Sequence, residues 1–318
     1  MAIKAGQLKE RADYQAYILE MLREENGYQV RPSTAYDPGY GMDVELLFSF
    51  LQATQPDALA RLEKLYGDRT RQTILNYINN EVNKKSRSLL DVLKHGVEFD
   101  NGVPLTLMYR KPATTFNQKA EALYQQNVLS VMEEVWHKEG ERIDLVIFLN
   151  GIAIFTFELK CNTSGQNYED AIRQYKFERD YKTRLLKFKA GCLAHFAMDL
   201  NEVYMCTNLK GKSSFFLPFN KGCGVGIHSG KGNPHNENGI NVSYMWEDIL
   251  KKDTVLYLID KIIFLQKETK KDPDTGKRVT KETLIFPRYH QFNAVRKLVA
   301  DVMEHHSEKN YLIEHSAG

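Results

Sequence analysis

The sequence predicts an α/β protein, and three stretches carry that reading. "LKERADYQAYILEMLREENGYQV" sets Tyr14, Tyr17, Ile18, Met21 and Leu22 at helical spacing and closes at Asn26-Gly27. "ERIDLVIFLNGIAIFTFELKCN", residues 141–162, holds two apolar runs that meet at Asn150-Gly151, a hairpin signal. "NYEDAIRQYKFERDYKTRLLKF" then reads as a charged amphipathic helix. "AGCLAHFAMDLNEVYMCTNL" follows it as two short strands around the turn Asp199-Leu200-Asn201. Strands interleaved with helices belong to the α/β class.

Composition sets the outer limits. A chain of 318 residues, 42 % hydrophobic and 26 % charged, reads as globular and can hold one large domain or two smaller ones. A formal net charge of +2 announces no nucleic-acid binder, so any DNA contact must come from a local basic patch. Cys161, Cys192, Cys206 and Cys223 are widely spaced, which argues against a disulfide framework or a cysteine-rich zinc site. "MAIKAGQLKERADYQ" has no apolar signal core and no run reaches transmembrane length. The expectation is a cytoplasmic protein without membrane contact.

The remaining elements follow in order. Helices are expected over roughly 55–66 and across "RTRQTILNYINNEVNKKS". "LLDVLKHGVEFDNGVPLTLMY" reads as strand–turn–strand around Asp100-Asn101-Gly102. "FNQKAEALYQQNVLSVMEEVWHK" reads as a helix with Leu123, Val128, Val131, Met132 and Val135 inside. The glycine-rich "NKGCGVGIHSGKGNPHNENG" is a surface loop, because no strand and helix frame it as a dinucleotide fingerprint. "VSYMWEDILKKDTVLYLIDKIIFL" closes the domain as helices. Residues 266–282 have the composition of a charged linker or exposed hairpin, and 283–318 begin something new: a turn, a helix and the strand "NYLIEHSAG". Lone His137 and His195 read as structural, His290 as packed in its turn, and Trp136 and Trp246 as core.

Asp144, Glu158 and Lys160 sit inside the apolar pattern of the hairpin, where charges are costly unless paired or holding a metal. Glu158 and Lys160 share a strand face. A strict two-residue turn would pair Asp144 with Phe157 and aim its carboxylate away from Glu158. A three-residue loop, or a glycine bulge at Gly151, restores parity, and an odd-length connection is expected. With that parity, the two carboxylates and the Leu159 carbonyl suit a hard ion such as Mg²⁺, with Lys160 placed to orient an activated water and stabilise a phosphorane-like transition state. The plainer reading is a Glu158–Lys160 salt bridge on an edge strand, with Asp144 as a strand-start cap.

Asp144, a hairpin, then Glu158-Leu159-Lys160 resembles the PD-(D/E)XK nuclease signature. "LDVLKHGVEF", "IDLVIFLNGIAI", "FELKCNTSGQNYEDAIRQYKFERD", "LAHFAMDLNEVYMCTNL", "FLPFNKG" and "FPRYHQFNAVRKLV…NYLIEHSAG" resemble, in this order, the N-terminal part of the restriction (R) subunit of type I restriction–modification enzymes. The resemblance covers nearly the whole chain, most strongly from about residue 90.

It implies a PD-(D/E)XK domain over 1–265, with a mixed central sheet flanked by helices. A superfamily 2 helicase-like motor would then begin at 283, after the 266–282 segment. It implies Asp144, Glu158, Lys160 and Gln174 as catalytic, and Asp144, Glu158, Leu159 and Glu20 around Mg²⁺. Gln291 in "FPRYHQ" resembles an adenine-reading Q motif, and "HSAG" the front half of a Walker A loop. Its lysine and hydroxyl residue do not appear in these 318 residues, which are therefore expected neither to hydrolyse ATP nor to translocate. Gln174 matches the family's Q-x-x-x-Y motif, but the fourth residue on is Glu178. Tyr175 and Tyr181 lie nearby, so the tyrosine role stays open.

In an unbroken helix, Gln174, Glu178, Tyr181 and Leu185 form one stripe, and Arg173, Lys176, Arg184 and Lys187 another, which is either open to DNA phosphates or a solvated face paired with Glu169, Asp170 and Asp180. The implied partners are double-stranded DNA and the modification (M) and specificity (S) subunits. Cleavage alone by these residues is expected to be weak. Two rivals remain, a non-catalytic DNA-binding scaffold of the same fold and a stand-alone repair nuclease. The competent residues at all three catalytic positions argue against the first, and the Q motif against the second.

Overall fold

The computed structural model describes residues 4–8, 11–114, 116–223, 232–271, 276, 278–305 and 310–313. Its elements run α1 (Arg11–Glu24), β1 (Gln29–Val30), β2 (Tyr36–Asp37), β3 (Met42–Asp43), α2 (Val44–Thr54), α3 (Pro56–Tyr66) and α4 (Thr70–Asn83). Then come α5 (Leu89–His95), β4 (Val97–Glu98), β5 (Pro104–Leu105), α6 (Gln118–Gln125), β6 (Leu129–Lys138), β7 (Glu141–Leu149) and β8 (Ile152–Leu159). The chain continues through α7 (Tyr168–Phe177), β9 (Ala194–Met198), β10 (Val203–Cys206), β11 (Leu217–Pro218), α8 (Lys252–Tyr257), β12 (Phe264–Lys271), β13 (Arg278–Ile285) and α9 (Tyr289–His305).

Among the described residues one mixed sheet organises the molecule, in the order β1-β6-β7-β8-β9-β10-β11, with β2 and β3 attached beside the β7–β8 turn. The β6–β7–β8 meander is antiparallel, while β1–β6 and β8–β9 are parallel. Every residue of β8 is buried, as expected of an interior strand covered on both faces. One face packs on α1 and the N-terminal helices through Leu145, Ile147, Phe155, Phe157 and Leu159. The other meets α7 and the chain after it through Val146, Phe148, Tyr175 and Leu185. No described helix is long and apolar enough to cross a membrane.

Four segments depart from expectation. The helix expected across 116–138 is only α6. The apolar residues from Val128 to Val135 sit in β6, because the ladders to β1 and β7 outweigh a spacing that also fits a helix. Asn127 makes the break, exchanging hydrogen bonds with Tyr109 N (3.0 Å) and Tyr109 O (2.8 Å). The strand expected near residue 90 is α5, begun by Ser88, whose hydroxyl accepts from Asp91 N at 3.2 Å. Only the two-residue β4 and β5 remain of the strand–turn–strand.

α7 ends at Phe177 rather than running on, because the Asp180 carboxylate accepts from Lys182 N (3.0 Å) and closes a local turn that competes with the helix. The stripe through Gln174, Glu178, Tyr181 and Leu185 therefore does not exist. The strand expected from 310 is absent over 310–313, and its Walker-like end lies outside the described residues, as do residues 224–231 of the glycine-rich loop. β12 and β13 pair antiparallel along their whole length and are largely exposed. Trp246 is buried, but Trp136 is half exposed on β6.

The β7–β8 turn is itself buried. Asn150 and Gly151 both take positive φ (51° and 83°), the primed geometry of a two-residue hairpin. Asn150 donates to Leu107 O (2.9 Å) and Asn127 Oδ1 (3.0 Å) and accepts from Val128 N (2.7 Å). Gly151 O accepts from Asp43 N at 2.7 Å, where Asp43 caps α2. A Cβ on Gly151 would lie 2.5 Å from Asp43 O and 2.6 Å from Leu47 N. Gly151→Ala is therefore expected to lower unfolding free energy by at least about 2 kcal/mol, from backbone strain plus overpacking, measured by urea denaturation.

Candidate active site

The connection between β7 and β8 is the two-residue turn, not the odd-length loop or Gly151 bulge expected from parity. The correction comes further along β8. Leu149 pairs with Ile152 and Phe148 with Ala153, but Ile147 pairs with Phe155, so Ile154 is an extra residue on one strand. This β-bulge swaps the faces of everything after it. Val146 then pairs with Thr156 and Leu145 with Phe157, and one step on Asp144 stands opposite Glu158 on the same face. The Ile154 carbonyl is not idle, accepting from Leu193 N at 2.8 Å at the entry to β9.

Both carboxylates are fully buried. Asp144 Oδ2 accepts from Leu159 N at 2.7 Å, and Oδ1 takes a guanidinium hydrogen bond from Arg11 of α1. Arg11 also bridges to Glu134 Oε1 (3.0 Å) on β6. Glu158 Oε1 accepts from Arg179 Nε at 2.7 Å, while Glu158 Oε2 is buried with no hydrogen-bond partner. Burial pushes the Glu158 carboxyl up to about 8, the Asp144 charge pushes the same way, and Arg179 and Lys160 oppose both. Lys160 is 5 % exposed and continues the β8–β9 ladder, its N–H donating to Met198 O at 2.9 Å, which keeps it on the Glu158 face.

The plainer reading fails on two counts. β8 is an interior strand, and the residue that pairs with Glu158 is Arg179.

α7 packs against β8 and β9 beside this pair. Asn167 and Asp170 form a capping box at its start, and Tyr175 OH bonds Thr156 Oγ1 at 2.8 Å, two residues before Glu158. Thr156 Oγ1 also meets His195 Nδ1 at 2.8 Å, and burial lowers that imidazole to about 3. His137, near Thr183, is likewise lowered by burial to about 4. Both histidines are buried, side-chain-bonded residues with no tie to the carboxylates. Gln174 is half-buried with an unpartnered, buried Oε1, and no described hydrogen bond joins it to Asp144 or Glu158.

Other expected residues lie elsewhere. Glu20 is exposed on α1, nine residues beyond Arg11, which is half a turn out of phase and roughly 13 Å along the helix. The residue of α1 that meets Asp144 is a base, not an acid. Arg184 is largely enclosed, donating to Asn79 Oδ1 (3.0 Å) and Ala190 O, so it is structural and not open to phosphates. Arg173 and Lys187 are exposed and Lys176 half-exposed. Gln291 is exposed at the start of α9, its Oε1 accepting from Arg288 N at 3.0 Å. Sequence reasoning missed Arg11 and Arg179. Arg179 lies two residues beyond the end of α7, where a periodicity that continues the helix misplaces it.

The donor set fits a hard divalent cation. Two carboxylates share one face, and a buried Glu158 oxygen lacks any partner. Among the described residues no group of three or more His, Cys, Asp or Glu side chains is placed to hold a metal ion, so the donors here are a pair of carboxylates and not a cluster. In metal-free protein the sign of the pH dependence follows. Glu158 sits at about 8 when folded against an ordinary 4.5, so its proton stabilises the fold fully below about pH 4.5 and that stabilisation is lost as pH rises through about 8. Glu158→Gln should flatten this decline between pH 5 and 8.5 in chelator-treated protein. Parallel wild-type and Gln denaturation curves across that window would contradict it.

Known proteins were compared on this footing. The family described as "Type I restriction enzyme R protein N terminus" matches residues 7–214. A Methanocaldococcus jannaschii protein described as "Putative type I restriction enzyme MjaVIIIP endonuclease subunit" is 26 % identical over 262 residues, covering 77 % of this chain and 21 % of its own length. The chain thus spans about a fifth of that curated relative. With most of its length inside the family match, from α1 through β10, the chain belongs to the N-terminal family of type I restriction enzyme R proteins.

Proposed function

We propose that this chain is the metal-dependent DNA endonuclease part of a type I restriction R subunit, with a PD-(D/E)XK active site on β7 and β8. The observation that carries it is the facing pair Asp144–Glu158, buried with one oxygen left unsatisfied. Asp144, Glu158 and the Leu159 carbonyl would hold Mg²⁺. When bound, the ion supplies electrostatic stabilisation to a phosphate under attack and lowers the pKa of water. Arg11 and Arg179 hold the carboxylates in register until a cation arrives. Lys160 keeps an ammonium beside Glu158, able to donate to a phosphate oxygen as charge develops there. Gln174, whose buried amide oxygen has no partner, would orient water. Water adds at phosphorus, the P–O bond to the leaving oxygen breaks, and one DNA strand is cut.

The description of the Methanocaldococcus jannaschii relative as an endonuclease subunit supports the endonuclease reading. The nuclease domain would extend over 1–265, with 266–282 joining it to a motor that begins at 283. ATP would be used only by the longer subunit, Gln291 reading adenine. Double-stranded DNA and the M and S subunits would be the partners.

Two measurements test this. Calorimetric titration with Mn²⁺ should show binding to the wild-type chain that Asp144→Asn and Glu158→Gln each weaken at least tenfold. Equal heats from all three proteins would sink the metal site. In the full-length subunit within its complex, Lys160→Ala should reduce DNA cleavage by about 100-fold or more while leaving ATP hydrolysis intact. Loss of both activities would mean that Lys160 is structural.

A further inference from the structure

The structure moves the basic surface away from the helix face expected of it. Beyond the end of α7 lies an open cleft of about 800 Å³, lined by Lys182, Lys187, Lys210 and Lys281 with Tyr181 and Phe188. All four lysines are exposed. Glu282, the acid in the same cleft, is already held by Lys189 (2.6 Å) and Lys267 (3.4 Å), so it does not offset them. Lys210 and Lys281 also line a second hollow of about 380 Å³ on their other side, together with Phe215. Phe215 and Phe177 are 74 % and 60 % exposed, and Lys212 Nζ lies 5.9 Å from the Phe177 ring. The two hollows thus share Lys210 and Lys281, together with Asn208 and the lysine-held Glu282, and adjoin as a basic strip edged by aromatic rings.

The strip adjoins the carboxylate pair by chain connectivity. Tyr181 on its wall is two residues after Arg179, which bonds Glu158. Lysine ammoniums on flexible stems bind phosphate oxygens as point charges without demanding one fixed geometry, which suits sequence-independent contact with a nucleic-acid backbone. This strip is lysine throughout. We propose that it is a sequence-independent docking track for the phosphate backbone of duplex DNA, delivering the strand to the Asp144–Glu158 pair; the proposal rests on the nuclease reading above.

Phosphate contacts release condensed counterions, so each lysine that makes one contributes about 0.9 to the slope of log affinity against log salt. The test is fluorescence anisotropy of a labelled 30-base-pair duplex with the 318-residue chain in chelator, at several salt concentrations. The variant is Lys182→Ala/Lys210→Ala/Lys281→Ala. A control removes three exposed lysines elsewhere, Lys64→Ala/Lys119→Ala/Lys251→Ala. The track predicts a slope shallower by about 2–3 and clearly weaker binding for the first variant, equal across duplex sequences, with the control unchanged. Wild-type binding with an unaltered slope in the cleft variant overturns the track and leaves the nuclease reading standing. A wild-type chain that binds no duplex at any salt overturns the nuclease reading itself. Because all six positions are exposed, thermal unfolding should match wild type, and equal unfolding with the shallower slope assigns the loss to contacts, not to folding.

Discussion

One surplus residue in the β7–β8 ladder governs the rest of this molecule. Without Ile154 as a bulge, the period of two would send Asp144 and Glu158 to opposite faces of the sheet. With it, Phe155 and Phe157 fill the α1 side while Thr156, Glu158 and Lys160 line the α7 side. A single backbone irregularity therefore sorts an apolar face from a chemical one. It is held by the Leu193 hydrogen bond at the start of β9, so the strand that completes the sheet also fixes the insertion.

Two carboxylates on one buried face repel each other and lose hydration, and neither cost is offset by the sheet itself. The chain answers with arginines from outside the hairpin, Arg11 on Asp144 and Arg179 on Glu158. The two are not equivalent. The Arg11 side chain keeps 30 % of its surface in water and Arg179 only 10 %, so the Asp144 side is the open one. The Glu158 carboxyl is raised first by burial and then by the Asp144 charge, and Arg179 and Lys160 offset only part of that.

The hairpin was legible because alternation and Asn-Gly are local signals. Its bulge was not, since Ile154 is apolar like its neighbours and nothing in its identity marks it as surplus. Parity reasoning found that an irregularity was required and set it at Gly151, three residues too early. β6 was read as a helix because Val128, Val131, Met132 and Val135 also fit a helical stripe, and only the pairing with β7 decides between the two. α7 was drawn too long because the competing Asp180 turn weighs little in any periodicity count. Arg11 lies 133 residues from Asp144 in sequence, a contact that local pattern cannot contain. Glu20, expected from its resemblance to an accessory acid on the first helix, shares that helix with Arg11 but not a face.

The span of these contacts bears on how the protein is made. Arg11 leaves the ribosome long before Asp144, and the hairpin that follows emerges before Arg179 and β9 exist. A chain halted near residue 160 would carry two facing acids with half their compensation and an unpaired edge on β8. Such an intermediate has little reason to settle, because parallel pairing must wait for distant sequence. Ordering of the carboxylate pair is thus tied to synthesis through at least Met198. A nascent chain would hold no ordered Asp144–Glu158 pair until the sheet around it closes.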